Sequence, residues 1–253
     1  MLTVDPPAVA GRTPVERRCD VVAVALVVSG LIFLVIAAVG TRPWTGPVSW
    51  GKPATFGVSF GLTLATVVRV SALLTMPVRT RSVLLGTLAL DSVVEVAGVT
   101  VQAVRGVPSH LNRSTPANTA VSMTLAVGGA VLVVVLGRLA WAAFAGATDA
   151  AASMRLALRA GFALLLCGLA SGAAMIARGT VAMNTGSAAH AYAVTGSLKT
   201  VHGITLHGIV VVPLFAWWLA RRDLDEGVRV RWVAWLVALY AGAALTALVV
   251  ALI

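Results

Sequence analysis

The sequence predicts an all-α fold, a polytopic membrane bundle of seven transmembrane helices with a cytoplasmic amino terminus. Three observations predict it. Of the 253 residues, 59% are hydrophobic and only 11% are charged, too few charges to clothe an ordinary soluble surface. Seven apolar stretches each approach the roughly 20 residues that a helix needs to cross a hydrocarbon core about 30 Å thick. Lys and Arg gather on alternate connections, which sets an orientation.

The spans fall near residues 21–40, 54–76, 82–104, 118–144, 155–177, 200–220 and 230–252, so residues 1–253 form one transmembrane domain. Residues 1–20 form a polar cytoplasmic tail. The tail is long and the first apolar run has spanning length, so span 1 reads as an uncleaved anchor and not as a signal core. Spans 1 and 7 are almost wholly aliphatic and are expected to face lipid. Span 2 is headed by Lys52 and ends at Arg69. With Thr55, Ser59, Thr63 and Thr66 between them, these residues cover an arc of about 120° and predict one wall of a polar cavity. Span 3 places Asp91, Glu95, Gln102 and Arg105 within about 80°, again one stripe. Span 4 opens on Thr115-Pro116, an N-cap followed by Pro at the first helical position. Span 5 carries Gly161, Gly168 and Gly172, the last two at GxxxG spacing, which predicts close helix packing. Span 6 opens with VHGITLHG and carries Pro213, which removes a helix hydrogen bond and predicts a kink below His207.

Basic residues orient the chain. Arg12, Arg17, Arg18, Arg79, Arg81, Arg155, Arg159, Arg221, Arg222, Arg229 and Arg231 fall on one side. Arg42, Lys52, Arg105, Arg113, Arg178 and Lys199 fall on the other. The positive-inside rule then predicts a multi-pass protein of the cell membrane with an extracytoplasmic carboxyl terminus. Trp44 and Trp50 fall at the outer boundary; Trp141, Trp217, Trp218, Trp232 and Trp235 fall at the inner one. The net charge of +10 largely restates this bias. No basic stripe interleaves with aromatics, so nucleic acid is not an expected partner. Cys19 and Cys167 are expected at different depths, which argues against a disulfide.

Carboxylates at mid-bilayer cost on the order of 2.5–3.5 kcal/mol each and need partners. By helical rise, Arg69 lies about 25 Å below Lys52 and Asp91 about 21 Å below Arg105. An Arg69–Asp91 structural ion pair is therefore expected to close the cavity floor. His202 and His207 are five residues apart, about 140° on a helix, and cannot share a metal as residues at three or four spacing do. Similar depths predict instead a Glu95–His207 hydrogen bond, with His202 nearer His110. All four histidines lie in the predicted outer half, and no Asp or Glu occurs in an outer loop. The long connection from Arg178 to Lys199, with His190 and Tyr192, is expected to fold as a lid or a short helix.

Lys52-Pro53-Ala54-Thr55-Phe56, then Gln102 to Asn112 (QAVRGVPSHLN), then Gly196 to His202 (GSLKTVH) with His207 and Pro213, resemble a family of uncharacterised bacterial membrane proteins. Its pattern reads K-P-x-K-F, Q-x-x-R-G-x-x-S-H-F-N and G-D-L-R-x-x-H-x-x-x-x-H-x-x-x-x-x-P. The chain departs from it at Thr55, Leu111, Ser197 and Lys199. The resemblance implies the seven-helix plan and points to the same polar residues; it implies no chemistry. The loss of the acid at Ser197 weakens any acidic outer metal site.

Three functions compete. The first is an outward-open polar pocket between spans 2, 3 and 6 that binds or transports a small polar or anionic ligand, with a proton link. Lys52, Arg105, His110, Asn112, Gln102, His202 and Lys199 would line it, and Glu95 and His207 would hold a proton. The second is a membrane redox protein holding haem b through axial histidines, such as His202 with His110 or His190. The third is a zinc-dependent membrane hydrolase using His110, His190 and His202. Retinal is excluded as a Schiff base, because span 7 has no lysine. A nucleotide site lacks a Gly-rich phosphate loop.

Overall fold

The computed structural model describes residues 12–146 and 148–252. Among these residues there are eight helices and no strand. They are α1 (Pro14–Val39), α2 (Gly51–Ser71), α3 (Val78–Val104), α4 (Pro116–Ala145), α5 (Ala152–Thr185), α6 (Ala188–Gly196), α7 (Lys199–Leu219) and α8 (Glu226–Leu252). All but α6 are long and apolar enough to cross a membrane. The first eleven residues of the expected tail lie outside the described residues.

Local chemistry explains where the helices begin. Thr13 accepts a hydrogen bond from the Glu16 amide, Glu16 answers to the Thr13 amide at 2.9 Å, and Pro14 occupies the first turn. This capping box starts α1 well before residue 21, so part of the expected tail is helix. Thr115 caps α4 as its sequence predicts, accepting from the Asn118 amide at 3.2 Å. Glu226 at the head of α8 accepts from the Ser153 amide at 2.7 Å, and so satisfies a free donor in the first turn of α5. The lid segment is the short helix α6, capped by Ser187. Helix α7 continues through Pro213.

Helices α1 and α2 pack most closely, as do α5 and α7; α2 also meets α3 and α7, and α3 meets α4. Glycine permits the two tight contacts. A Cβ at Gly57 would lie 2.7 Å from the Gly30 Cα, and one at Gly61 would lie 2.6 Å from the Ala23 carbonyl. A Cβ at Gly168 would meet Leu206 at 2.8 Å, and one at Gly208 would meet Leu164 at 2.6 Å. The GxxxG of α5 is therefore a packing element, facing α7. A core of Leu64, Val67, Leu85, Leu88, Leu139, Leu158, Phe162 and Ile209 joins the helices. Helix α8 buries only Val233, while Trp232, Trp235, Leu239 and Leu245 are exposed, as suits a lipid-facing helix. At the end of α7, Arg221 stacks over Trp217 and Arg222 over Trp218.

An odd number of spans, seven, places Pro14 and Leu252 at opposite ends of the bundle. The far end, opposite Pro14, carries the α1–α2 and α3–α4 connections and α6.

Candidate functional site

The polar residues separate into four groups. The first caps the far end. Lys52, at the head of α2, donates to Ser109 Oγ at 2.6 Å and reaches His110 Nδ1 at 3.3 Å. Ser109 Oγ and His110 Nδ1 are 2.9 Å apart. A lysine ammonium only donates, so Nδ1 accepts and the imidazole carries its proton on Nε2. Burial and the Lys52 charge together push His110 down to about 3, so it is neutral. The Phe56 ring packs against it, centroids 6.0 Å apart. Lys199 is exposed at the head of α7, within electrostatic reach of Lys52. Among the described residues Lys52 has no ion-pair partner.

The second group locks the α3–α4 loop. Arg105 donates to Gln102 at 2.6 Å, Gln102 to Asn118 at 3.2 Å, Asn118 to Ser114 at 2.9 Å, and Ser114 to Asn112 at 2.8 Å. Ser122 takes the Asn112 amide at 3.0 Å and can donate to the Ser109 carbonyl at 3.1 Å. Gln102, Asn112, Asn118 and Ser122 are all buried. Leu111, between His110 and Asn112, has φ +60°, a strained region for a non-glycine residue. Gln102, Arg105 and Asn112 were expected to line the pocket; their hydrogen bonds hold the loop that presents Ser109 and His110. Asn118 and Ser122 carry no sequence signal of this role, because a single polar residue in the first turns of a span reads as a cap, and Ser114 reads as an ordinary loop serine before the Thr115 cap.

The third group joins α2 to α7. His207 Nδ1 donates to the Gly203 carbonyl at 2.6 Å, which leaves Nε2 to accept from Ser59 at 3.1 Å. Both nitrogens are thereby used within this group, and the expected Glu95–His207 hydrogen bond is not formed. His202 turns to α5, where Nδ1 donates to the Gly168 carbonyl at 2.8 Å and the ring fills the notch beside Gly172. His190 lies at a groove of about 420 Å³ between α5 and α6, with Arg178 and Val194. The histidines thus answer to different neighbours. Among the described residues no three metal-ligating side chains come together, so His110, His190 and His202 do not make the expected zinc set. His202 is held on α5 through Nδ1, and its hydrogen bonds go to Gly168 and Ser171, not to His110 or His190.

The fourth group is Asp91 and Glu95, both buried and turned toward Gly128 of α4. The expected Arg69–Asp91 pair is not formed. Arg69 pairs with Asp20 at 3.2 Å, and Asp20 also pairs with Arg12. The reason is the early start of α1: Asp20 lies inside a helix packed against α2 and not in a tail, and so offers Arg69 a partner. Arg81 likewise pairs with Glu16 at 3.1 Å. Cys19 and Cys167 are free thiols.

No protein-family model, curated protein or solved structure matches the chain.

Proposed function

We propose that this integral membrane protein binds a small anion at its far end, at Lys52, and carries it into or across the bilayer. One observation supports the reading above all: Lys52 is held by two neutral acceptors, Ser109 and His110, and by no carboxylate. Its charge is oriented but not neutralised. An ammonium has three donors, so one remains for a ligand. Lys199 adds a second positive charge nearby, and no Asp or Glu occurs in the α1–α2, α3–α4 or α5–α7 connections. The hydrogen-bonded α3–α4 loop supplies rigidity, which reduces the ordering cost of binding. By the positive-inside rule this end faces out of the cytoplasm.

Thermal unfolding of the detergent-solubilised protein with phosphate, sulfate and small carboxylates tests the binding. An anion at a hundredfold excess over its Kd should stabilise the wild type by about 2.7 kcal/mol. Lys52→Met should abolish the shift, and Lys199→Met should weaken it. Equal shifts in wild type and Lys52→Met would remove Lys52 from the site. Flux into proteoliposomes, measured with and without Glu95→Gln, tests translocation and its proton link; unchanged flux in the variant would leave Glu95 outside the mechanism.

A further inference from the structure

Asp91 is the midpoint of α3, and Glu95 lies one turn further on the same face. The helical rise puts Asp91 about 20 Å from either end of α3, at the centre of a membrane crossing. Asp91 is 8% exposed and Glu95 3%. Their side chains converge. A Cβ at Gly128 would lie 2.5 Å from Glu95 Oε1 and 2.8 Å from Asp91 Oδ1, so both oxygens flank one point beside a bare stretch of α4 backbone. Asp91 Oδ2 is buried and has no hydrogen-bond partner.

The cations that could neutralise the pair are engaged elsewhere. From α2, Lys52 is within electrostatic reach of Glu95 but donates to Ser109 and His110, and Arg69 turns to Asp20. From α1, Glu16 and Asp20 have their own arginines, and Cys19 donates to the Leu85 carbonyl. On α4 the charged residue is Arg138, which is exposed. Among the described residues no ion pair reaches Asp91 or Glu95.

We propose that Asp91 and Glu95, backed by Gly128, form a proton-holding carboxylate pair at the centre of the bilayer. Two like charges this close in a medium of low dielectric repel strongly, and one proton between them removes one charge and makes a donor for the facing oxygen. Gly128 is the residue that gives the two carboxyls room on α4. The pair stands whether or not Lys52 takes an anion.

Infrared spectroscopy of the full chain in lipid tests it without any ligand. The wild type at neutral pH should show the carbonyl band of a protonated carboxyl, and Asp91→Asn with Glu95→Gln should remove it. Absence of the band, or its persistence unchanged in the double variant, overturns the proposal. Should the double variant fail to fold, labelling of the wild type with dicyclohexylcarbodiimide decides. A protonated carboxyl adds across one N=C bond of this membrane-soluble reagent, and the adduct rearranges to an N-acylurea with no atom lost. An adduct on Asp91 or Glu95 that fades as pH is raised supports the pair; no adduct on either overturns it. Labelling suppressed by sodium at constant pH also overturns it, because the occupant would then be a metal cation.

Discussion

At the scale of single residues, His110 carries the clearest pH signature. In the folded protein burial and Lys52 hold it down to about 3, against 6.5 for an ordinary imidazole. Between those values the unfolded chain binds a proton that the folded chain refuses. Stability is therefore full above about pH 6.5 and falls as pH drops toward 3. One such proton gives a slope of at most about 1.4 kcal/mol per pH unit. Melting profiles of the wild type should fall on acidification through this window, and His110→Asn should be flatter by about one proton. A slope equal in both proteins would mean that His110 is solvated. Leu111 makes a second residue-scale case. Its left-handed backbone is tolerable for a side chain not branched at Cβ and costly for a β-branched one, so Leu111→Val should destabilise by about 1–3 kcal/mol in a denaturation series. The presence of Lys52, His110 and Asp91 as unusual polar residues was legible in the sequence. Their partners were not, because depth along a helix says nothing about azimuth toward a neighbour. Glu95 and His207 have similar expected depths, yet His207 turns to Ser59 and Glu95 to Gly128.

At the scale of helices, small residues decide which elements meet. The bilayer offers no hydrophobic reward for pairing, so van der Waals fit and close backbone approach must supply it. Gly30, Gly57 and Gly61 do so between α1 and α2. Gly57→Leu should place a side chain against the Gly30 backbone and cost at least about 1–3 kcal/mol, read as lost thermal stability. Gly86→Ala is the control. Nothing lies within 4 Å of a Cβ there, so it should be neutral or gain about 0.8–1.0 kcal/mol from helix propensity. Similar losses in both variants would show that the contact is not specific. The GxxxG of α5 was readable from spacing alone, but its partner α7 was not. The Gly57–Gly61 repeat is masked in the sequence by the serines and threonines of the same helix, which point to a polar wall. Of that wall, Ser59 meets His207, while Thr55 bonds back to the Gly51 carbonyl at 2.9 Å.

At the scale of the whole molecule, seven apolar helices imply a lipid bilayer around the bundle. Cys167 is exposed near the middle of α5 and Cys19 is buried against α3. A water-soluble maleimide should label neither thiol in intact membranes and both after denaturation, as mass spectrometry would show. Labelling of Cys167 in intact membranes would mean that water reaches mid-α5. Two grooves lie on the flanks of the bundle. One groove of about 440 Å³ runs between α1 and α3 past Val15, Cys19, Gly86 and Leu90, and the other is the α5–α6 groove at His190.

The number of apolar spans, their approximate positions, the capped start of α4 and the lack of acid at the far end followed from the sequence by itself. Each depends on composition or on neighbours a few residues apart, where the bilayer and the helix period leave little choice. Only the tertiary structure decided that Arg69 meets Asp20, that His207 meets Ser59, and that two carboxyls share the space beside Gly128. Those pairings depend on how each helix is rotated about its axis, and rotation is set by the fit of side chains between helices distant in sequence.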